Sequence, residues 1–129
     1  MRRLPFLVLA AAIAFGAIAA TPASIESKTV LERLAWGDRS LVLLDVRTPA
    51  EYAEGHIPGA INIPHTELAS RIGELSESKG RDLVVYCRSG KRSEQALAVL
   101  REAGFSRLFH LKGDYLGWSG EKRPVIGAQ

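Results

Sequence analysis

Two short, unbroken apolar runs constrain this chain more than any other feature. Leu41-Val42-Leu43-Leu44 and Leu83-Val84-Val85-Tyr86 lack the polar alternation of a strand with one wet face, and both are too short for a buried helix. Each reads as a strand covered on both sides. The flanking segments agree: Lys28 to Trp36 carries Val30, Leu31 and Leu34 at helical spacing, and Gly37 supplies a stop. Pro49 to Glu54 predicts a short helix with proline at its start, ended by Gly55, and Ala60 to Ile63 a short strand stopped by Pro64. Leu68, Ile72 and Leu75 predict an amphipathic helix from Thr66. A further helix from near Ser93 places Ala96, Leu97, Leu100 and Ala103 on one face and stops at Gly104. Leu108 to Leu111 adds a strand, and Gly113 to Trp118 a terminal turn or short helix. Strands and helices alternating over short connections predict an α/β fold with parallel strands and helices on both sheet faces. Ligands in such folds bind beyond the carboxyl ends of the strands, where Cys87 lies.

With 129 residues, 47% of them apolar, the chain has enough material for one domain and not for two. Its first residues read as an address. Arg2 and Arg3, an apolar stretch from Leu4 to Ala20, and the small-residue site Ala17-Ile18-Ala19 form the three regions of a secretory signal. The expected division is a signal peptide over 1–19 and a single domain over 20–129. The alternative is a retained anchor, because the run approaches the roughly 20 residues that span a bilayer. Cleavage implies export, most simply to a bacterial periplasm, with no stable membrane association. The formal charge of +3 includes Arg2 and Arg3; without them 15 basic residues face 14 acidic ones. Mixed signs at near-zero balance leave no electrostatic footprint for nucleic acid or an anionic membrane.

Cys87 is the only cysteine, so an exported chain has no internal disulfide to make from it. It stands between a buried strand and a helix start, where the first helical turn leaves backbone N–H groups unpaired and the helix dipole is positive. Both terms favour a thiolate. Arg88, Lys91 and Arg92 add three cations, and Gly90 lets the backbone curl so that successive amides point inward as an anion nest. A buried structural cysteine with solvated arginines is the bland alternative. The coincidence of strand end, glycine, cations and helix start favours a loop that holds a nucleophilic sulfur together with an anionic substrate.

These residues resemble a known family. Leu43-Leu44-Asp45-Val46-Arg47, Glu51-Tyr52, Gly55-His56-Ile57-Pro58-Gly59-Ala60-Ile61-Asn62-Ile63-Pro64, the Cys87 loop with Arg92-Ser93, and Leu111-Lys112-Gly113 through Trp118 are similar to the rhodanese (thiosulfate sulfurtransferase) domain. The resemblance runs from about Ile25 to Trp118, and its combination with an export signal is similar to small periplasmic members. It implies a parallel sheet of about five strands flanked by helices. It also implies an enzyme in which Cys87 takes a sulfane sulfur from a donor such as thiosulfate and passes it to a thiophilic acceptor such as cyanide or a thiol. On that reading the amides from Arg88 through Ser89, Gly90, Lys91 and Arg92 to Ser93 cradle the persulfide. The side chains of Arg88, Lys91 and Arg92 bind the donor's anionic end. Neither a metal nor an organic cofactor is required.

One position departs from the pattern. Where many relatives carry a second glycine, this chain has Asp114, which demands either another backbone path or a left-handed aspartate; no role in catalysis is expected of it. Asp45 and Arg47 are read as structural, pairing with neighbours, for example Arg47 with Glu51. His56 is read as a hydrogen-bonded turn histidine, and Tyr115 and Trp118 as residues closing the core, with Trp118 a candidate for the rim. Two rival functions belong to different classes. Cysteine phosphatases and arsenate reductases use five residues between cysteine and arginine, whereas four separate Cys87 from Arg92 and Ser93 stands at the phosphatase position. The tighter loop suits one transferred sulfur better than a tetrahedral phosphate. A persulfide relay or binding module delivering sulfur to a partner protein is the other alternative.

Overall fold

The computed structural model describes residues 2–3 and 22–127. The signal-peptide reading of 1–19 therefore lies outside the described residues, apart from Arg2 and Arg3. Among the described residues no helix is long and apolar enough to cross a membrane.

Five strands form one sheet: β1 (Ala23–Ile25), β2 (Leu41–Asp45), β3 (Ile61–Asn62), β4 (Asp82–Tyr86) and β5 (Leu108–Leu111). Their order is β1-β5-β4-β2-β3, and every pairing is parallel. Among the described residues the α-helices are α1 (Ser27–Ala35), α2 (Pro49–Glu54), α3 (Lys91–Glu102) and α4 (Asp114–Gly120). The two apolar runs become the adjacent central strands β2 and β4, and their side chains split by parity as a pleated strand requires. Val42, Leu44, Leu83, Val85 and Cys87 pack toward Ala96, Leu97 and Leu100 of α3. Leu41, Leu43, Val84 and Tyr86 pack on the other face with Val30 of α1 and Trp118 of α4. The sulfur of Cys87 thus belongs to the same layer as the helix that follows it.

Two expectations are corrected. The helix predicted from Thr66 is a series of turns followed by a 3-10 helix over Ile72–Ser78. Leu75 and Ser78 are buried and Ile72 is partly so, and this spacing of three suits the three-residue turn of a 3-10 helix. Gly73 within the segment further weakens an α-helix. The helix after the cysteine starts at Lys91 rather than near Ser93. The amides of Lys91, Arg92 and Ser93 therefore form its open first turn. Strand β1 gave no signal in the sequence: it is three residues long and sits at the sheet edge.

Candidate active site

The chain leaves β4 at Tyr86 and turns into α3 within four residues, through Cys87, Arg88, Ser89 and Gly90. Gly90 caps the helix with φ of 125°, a conformation that side-chain-bearing residues rarely adopt. This places its N–H 3.0 Å from Cys87 Sγ as a donor. The amides of Arg88, Ser89, Lys91, Arg92 and Ser93 have no acceptor among the described residues. An α-helix leaves its first N–H groups without intrahelical partners, so the open amides of Lys91, Arg92 and Ser93 follow from the turn itself, with the Gly90 N–H the one that reaches the sulfur. Cys87 is 1% exposed, whereas Arg88, Ser89 and Lys91 are exposed. The loop is also tied from beneath: Tyr115 N–H donates to the Cys87 carbonyl at 2.9 Å and Leu116 N–H to that of Arg88 at 3.1 Å.

The three loop cations have different fates. Arg92 makes a two-pronged contact with Glu51, 2.6 Å from Nη1 to Oε1 and 3.0 Å from Nη2 to Oε2. That guanidinium holds the Glu51 carboxyl down at about 2. Glu51 belongs to the capping box of α2 with Thr48, so a helix-start signal also supplies the partner of a site arginine. Arg88 and Lys91 have no ion-pair partner among the described residues.

Arg47 does not pair with Glu51 as expected. Its Nη2 lies 2.6 Å from Asp45 Oδ2 and donates at 2.7 Å to the Gly55 carbonyl, and its guanidinium lies over the Tyr115 ring at 4.0 Å. The chain reverses tightly enough after β2 for residues two apart to meet. Burial works against the Arg47 charge, but Asp45 outweighs it and raises the guanidinium pKa. Asp45 and Arg47 are both nearly inaccessible, at 0% and 3% exposure. Removing one partner strands the other charge in the interior. Asp45→Asn is therefore expected to lower folding stability by about 3–5 kcal/mol, seen as a lower denaturant midpoint at unchanged slope.

The sequence matches the family description Rhodanese-like domain over residues 27–121, which includes the whole sheet after β1 and the entire cysteine loop. The chain belongs to the rhodanese-like domain family. It is 39% identical over 105 residues to a sulfurtransferase of Allochromatium vinosum, covering 81% of this chain and 95% of that protein. It is 37% identical over 84 residues to the putative sulfur carrier protein YrkF of Bacillus subtilis, covering 65% of this chain and 44% of that one. The solution structure of a rhodanese-like domain from an Anabaena protein superposes with a TM-score of 0.74 at 33% identity, covering 84% of this chain and 81% of that one.

Within this rhodanese-like domain, Asp114 makes contacts to the loop that the sequence did not announce. It is left-handed, at φ of 51°, one of the two conformations expected. It does not stand apart from the loop: its Oδ1 accepts the Cys87 N–H at 3.0 Å and the Ser93 hydroxyl at 2.9 Å. The Ser93 side chain is thereby engaged below the loop. His110 Nε2 lies 3.0 Å from both oxygens of the same carboxylate. The sequence carried one signal for this, the presence of aspartate where the family pattern has glycine.

A cleft of about 300 Å³ beside the loop is lined by Arg47, Glu51, Glu54, Arg88, Tyr115 and Leu116, together with Gly55. Tyr115 therefore faces the cleft as well as packing against the core, while Trp118 is fully buried and forms no rim. His56 stacks on Tyr52 at 3.7 Å, with Nδ1 2.9 Å from the Tyr52 carbonyl, in the structural role expected of it. A larger groove near Phe105 opens at the other end of the sheet, where β4 and β5 begin, away from the cysteine.

Proposed function

We propose that the protein is a thiosulfate sulfurtransferase that carries a sulfane sulfur on Cys87. Family membership and similarity to a sulfurtransferase and a putative sulfur carrier support sulfur transfer as the class of chemistry. The observation that carries the finer reading is the Gly90 N–H donating to Sγ in a loop whose neighbouring amides have no acceptor among the described residues. Such amides stabilise negative charge on sulfur whether that sulfur is the cysteine's own or one attached to it.

In the first half-reaction the Cys87 thiolate attacks the outer sulfur of thiosulfate. The donor's S–S bond breaks and sulfite departs with the electron pair. The terminal persulfide sulfur then sits among the amides of Arg88, Ser89, Gly90, Lys91, Arg92 and Ser93. In the second half-reaction an acceptor such as cyanide attacks that sulfur, giving thiocyanate and returning the thiolate. No external oxidant or reductant enters. Arg88 and Lys91 draw the dianionic donor, and a loop sized for one sulfur disfavours a phosphate with its oxygens.

A second reading, transfer to a partner protein with cyanide turnover incidental, is favoured by the exposed rim of Arg88, Ser89 and Leu116 and the similarity to a putative sulfur carrier. Faster discharge of loaded Cys87 to a protein thiol than to cyanide separates it from the first.

We further propose export to the periplasm through residues 1–19, which rests on the sequence alone. One intact-mass measurement tests both proposals. Protein recovered from the exported fraction is expected to begin at Ala20 or within a few residues of it. After thiosulfate it should gain the mass of one sulfur atom, lost again on reduction. No gain overturns the sulfur-transfer reading, and retained 1–19 means an anchor.

A further inference from the structure

Sulfur transfer as proposed uses the sulfur, the amides and the loop cations, and leaves unused a pair formed by buried Asp114 and half-buried His110. Asp114 pays for a left-handed backbone that glycine would adopt without strain, which makes its side chain the reason for its presence. Its residue is 3% exposed, and its carboxylate gathers donors from three elements: the Cys87 N–H at the end of β4, the Ser93 hydroxyl in the first turn of α3, and His110 Nε2 on β5. The contact extends to the residue that touches sulfur. A Cβ built on Gly90 would lie 3.2 Å from Asp114 Oδ2 and 3.5 Å from His110 Cε1, and the Gly90 N–H is the donor to Sγ.

We propose that Asp114 and His110 form a charge-compensated positioning pair for sulfur transfer: Asp114 fixes both ends of the Cys87 loop, and the proton on His110 keeps the pair neutral beneath the anionic sulfur. This inference rests on the reading of Cys87 as the sulfur-carrying nucleophile.

With His110 protonated, the imidazolium and the carboxylate cancel. Once that proton leaves, an uncompensated buried carboxylate stands one hydrogen bond from the Cys87 backbone, opposing both negative sulfur and the approach of an anionic donor. The other groups around the pair do not supply the compensation. Glu94, on α3, adds negative potential at His110; Arg92, also on α3, is engaged by Glu51; Arg88 and Lys91 are at the exposed rim. Hydrogen bonding to Asp114 raises the His110 pKa above its ordinary 6.5 despite burial, and the imidazole is 25% exposed, so it exchanges its proton with solvent. Burial pushes the Asp114 pKa upward, but His110 and the Cys87 amide outweigh it and keep the carboxylate ionised. The stability contributed by protonated His110 is complete below 6.5 and is lost as pH rises through its raised value. The transfer rate should fall over that same window.

The test is the pH profile of sulfur uptake from thiosulfate by the full chain, alongside the His110 titration by NMR, in wild type, His110→Gln and Asp114→Asn. In the wild type the descending limb should coincide with the His110 titration. In His110→Gln that limb should vanish, with the rate below the limb dropping roughly tenfold toward the wild-type alkaline value. In Asp114→Asn the His110 titration should move down toward 6.5 and the limb should be lost, because no carboxylate remains to be left uncompensated. Profiles that keep their shape while both variants lose rate equally at every pH would overturn the proposal, because a purely structural pair would behave that way. His110→Gln leaves the Asp114 contacts to Cys87 and Ser93 available, and decides the matter alone if Asp114→Asn does not fold. Uptake whose pH profile ignores His110 overturns this inference only. No uptake by the wild type at any pH overturns the sulfur-transfer reading and this inference with it.

Discussion

Cys87→Ser is expected to reduce sulfur transfer below detection while the domain remains folded. Serine is nearly isosteric with cysteine, and its hydroxyl oxygen can still accept the Gly90 N–H that now meets Sγ at 3.0 Å. The Tyr115 N–H to Cys87 carbonyl bond and the Cys87 N–H to Asp114 bond are backbone contacts on the cysteine side and survive the exchange. A change in stability within about 1 kcal/mol is therefore expected, a shift of roughly 4–8 °C or less in Tm for a domain of this size. The chemistry does not survive. The serine hydroxyl stays protonated near neutral pH, and an oxygen in place of Sγ forms no persulfide, so neither half-reaction has a starting point. Thiosulfate–cyanide turnover together with a thermal melt checks both parts. Turnover near the wild-type level from a folded Cys87→Ser chain would overturn the mechanism.

The sheet was legible in the sequence because its central strands are short runs buried on both faces, which have few alternatives in a chain of this size. The position of Cys87 at a strand end followed from the same runs. What escaped was whatever depends on distant partners. Glu51 reads locally as the third residue of a capping box, and nothing near it in sequence announces that it also grips Arg92, 41 positions away. His110 looks like an ordinary strand residue until the fold brings α4 back under the loop. Asp114 was noticed because it breaks a pattern; its left-handed backbone was one of two conformations expected, and its side-chain partners were not foreseen. A backbone conformation is a local property; the identity of three hydrogen-bond donors from three elements is not. The helix predicted from Thr66 failed for a related reason. A spacing of seven between Leu68 and Leu75 fits two turns of α-helix, but from Ile72 onward burial falls at intervals of three.

Neutralising Arg88 and Lys91 together is expected to raise the apparent KM for thiosulfate by roughly tenfold or more, with a much smaller effect on kcat. The sequence presents three cations for this task, but Arg92 is already held by Glu51 at 2.6 and 3.0 Å, leaving Arg88 and Lys91 to meet a dianion. A charge-assisted hydrogen bond is worth about 1.5–3 kcal/mol, and the exposure of both side chains places their contribution toward the lower end of that range. Because the attraction is between exposed charges, the wild-type KM should also climb with ionic strength, and that slope should flatten in the Arg88→Gln, Lys91→Gln variant. Glu51 supplies the test of sign. Glu51→Gln removes a carboxylate that lines the cleft and releases Arg92 from its partner, so it should lower the KM for thiosulfate. Arg92→Gln should raise it, chiefly by leaving that carboxylate uncompensated, and combining the two substitutions should return the KM toward wild type. Steady-state kinetics with thiosulfate and with a singly charged donor such as mercaptopyruvate completes the comparison, since a dianion gains more from two cations than a monoanion does. A KM insensitive to Arg88 and Lys91, or a clear preference for mercaptopyruvate, would assign the loop charges to solvent and leave the loop amides as the sole recognition element for the donor.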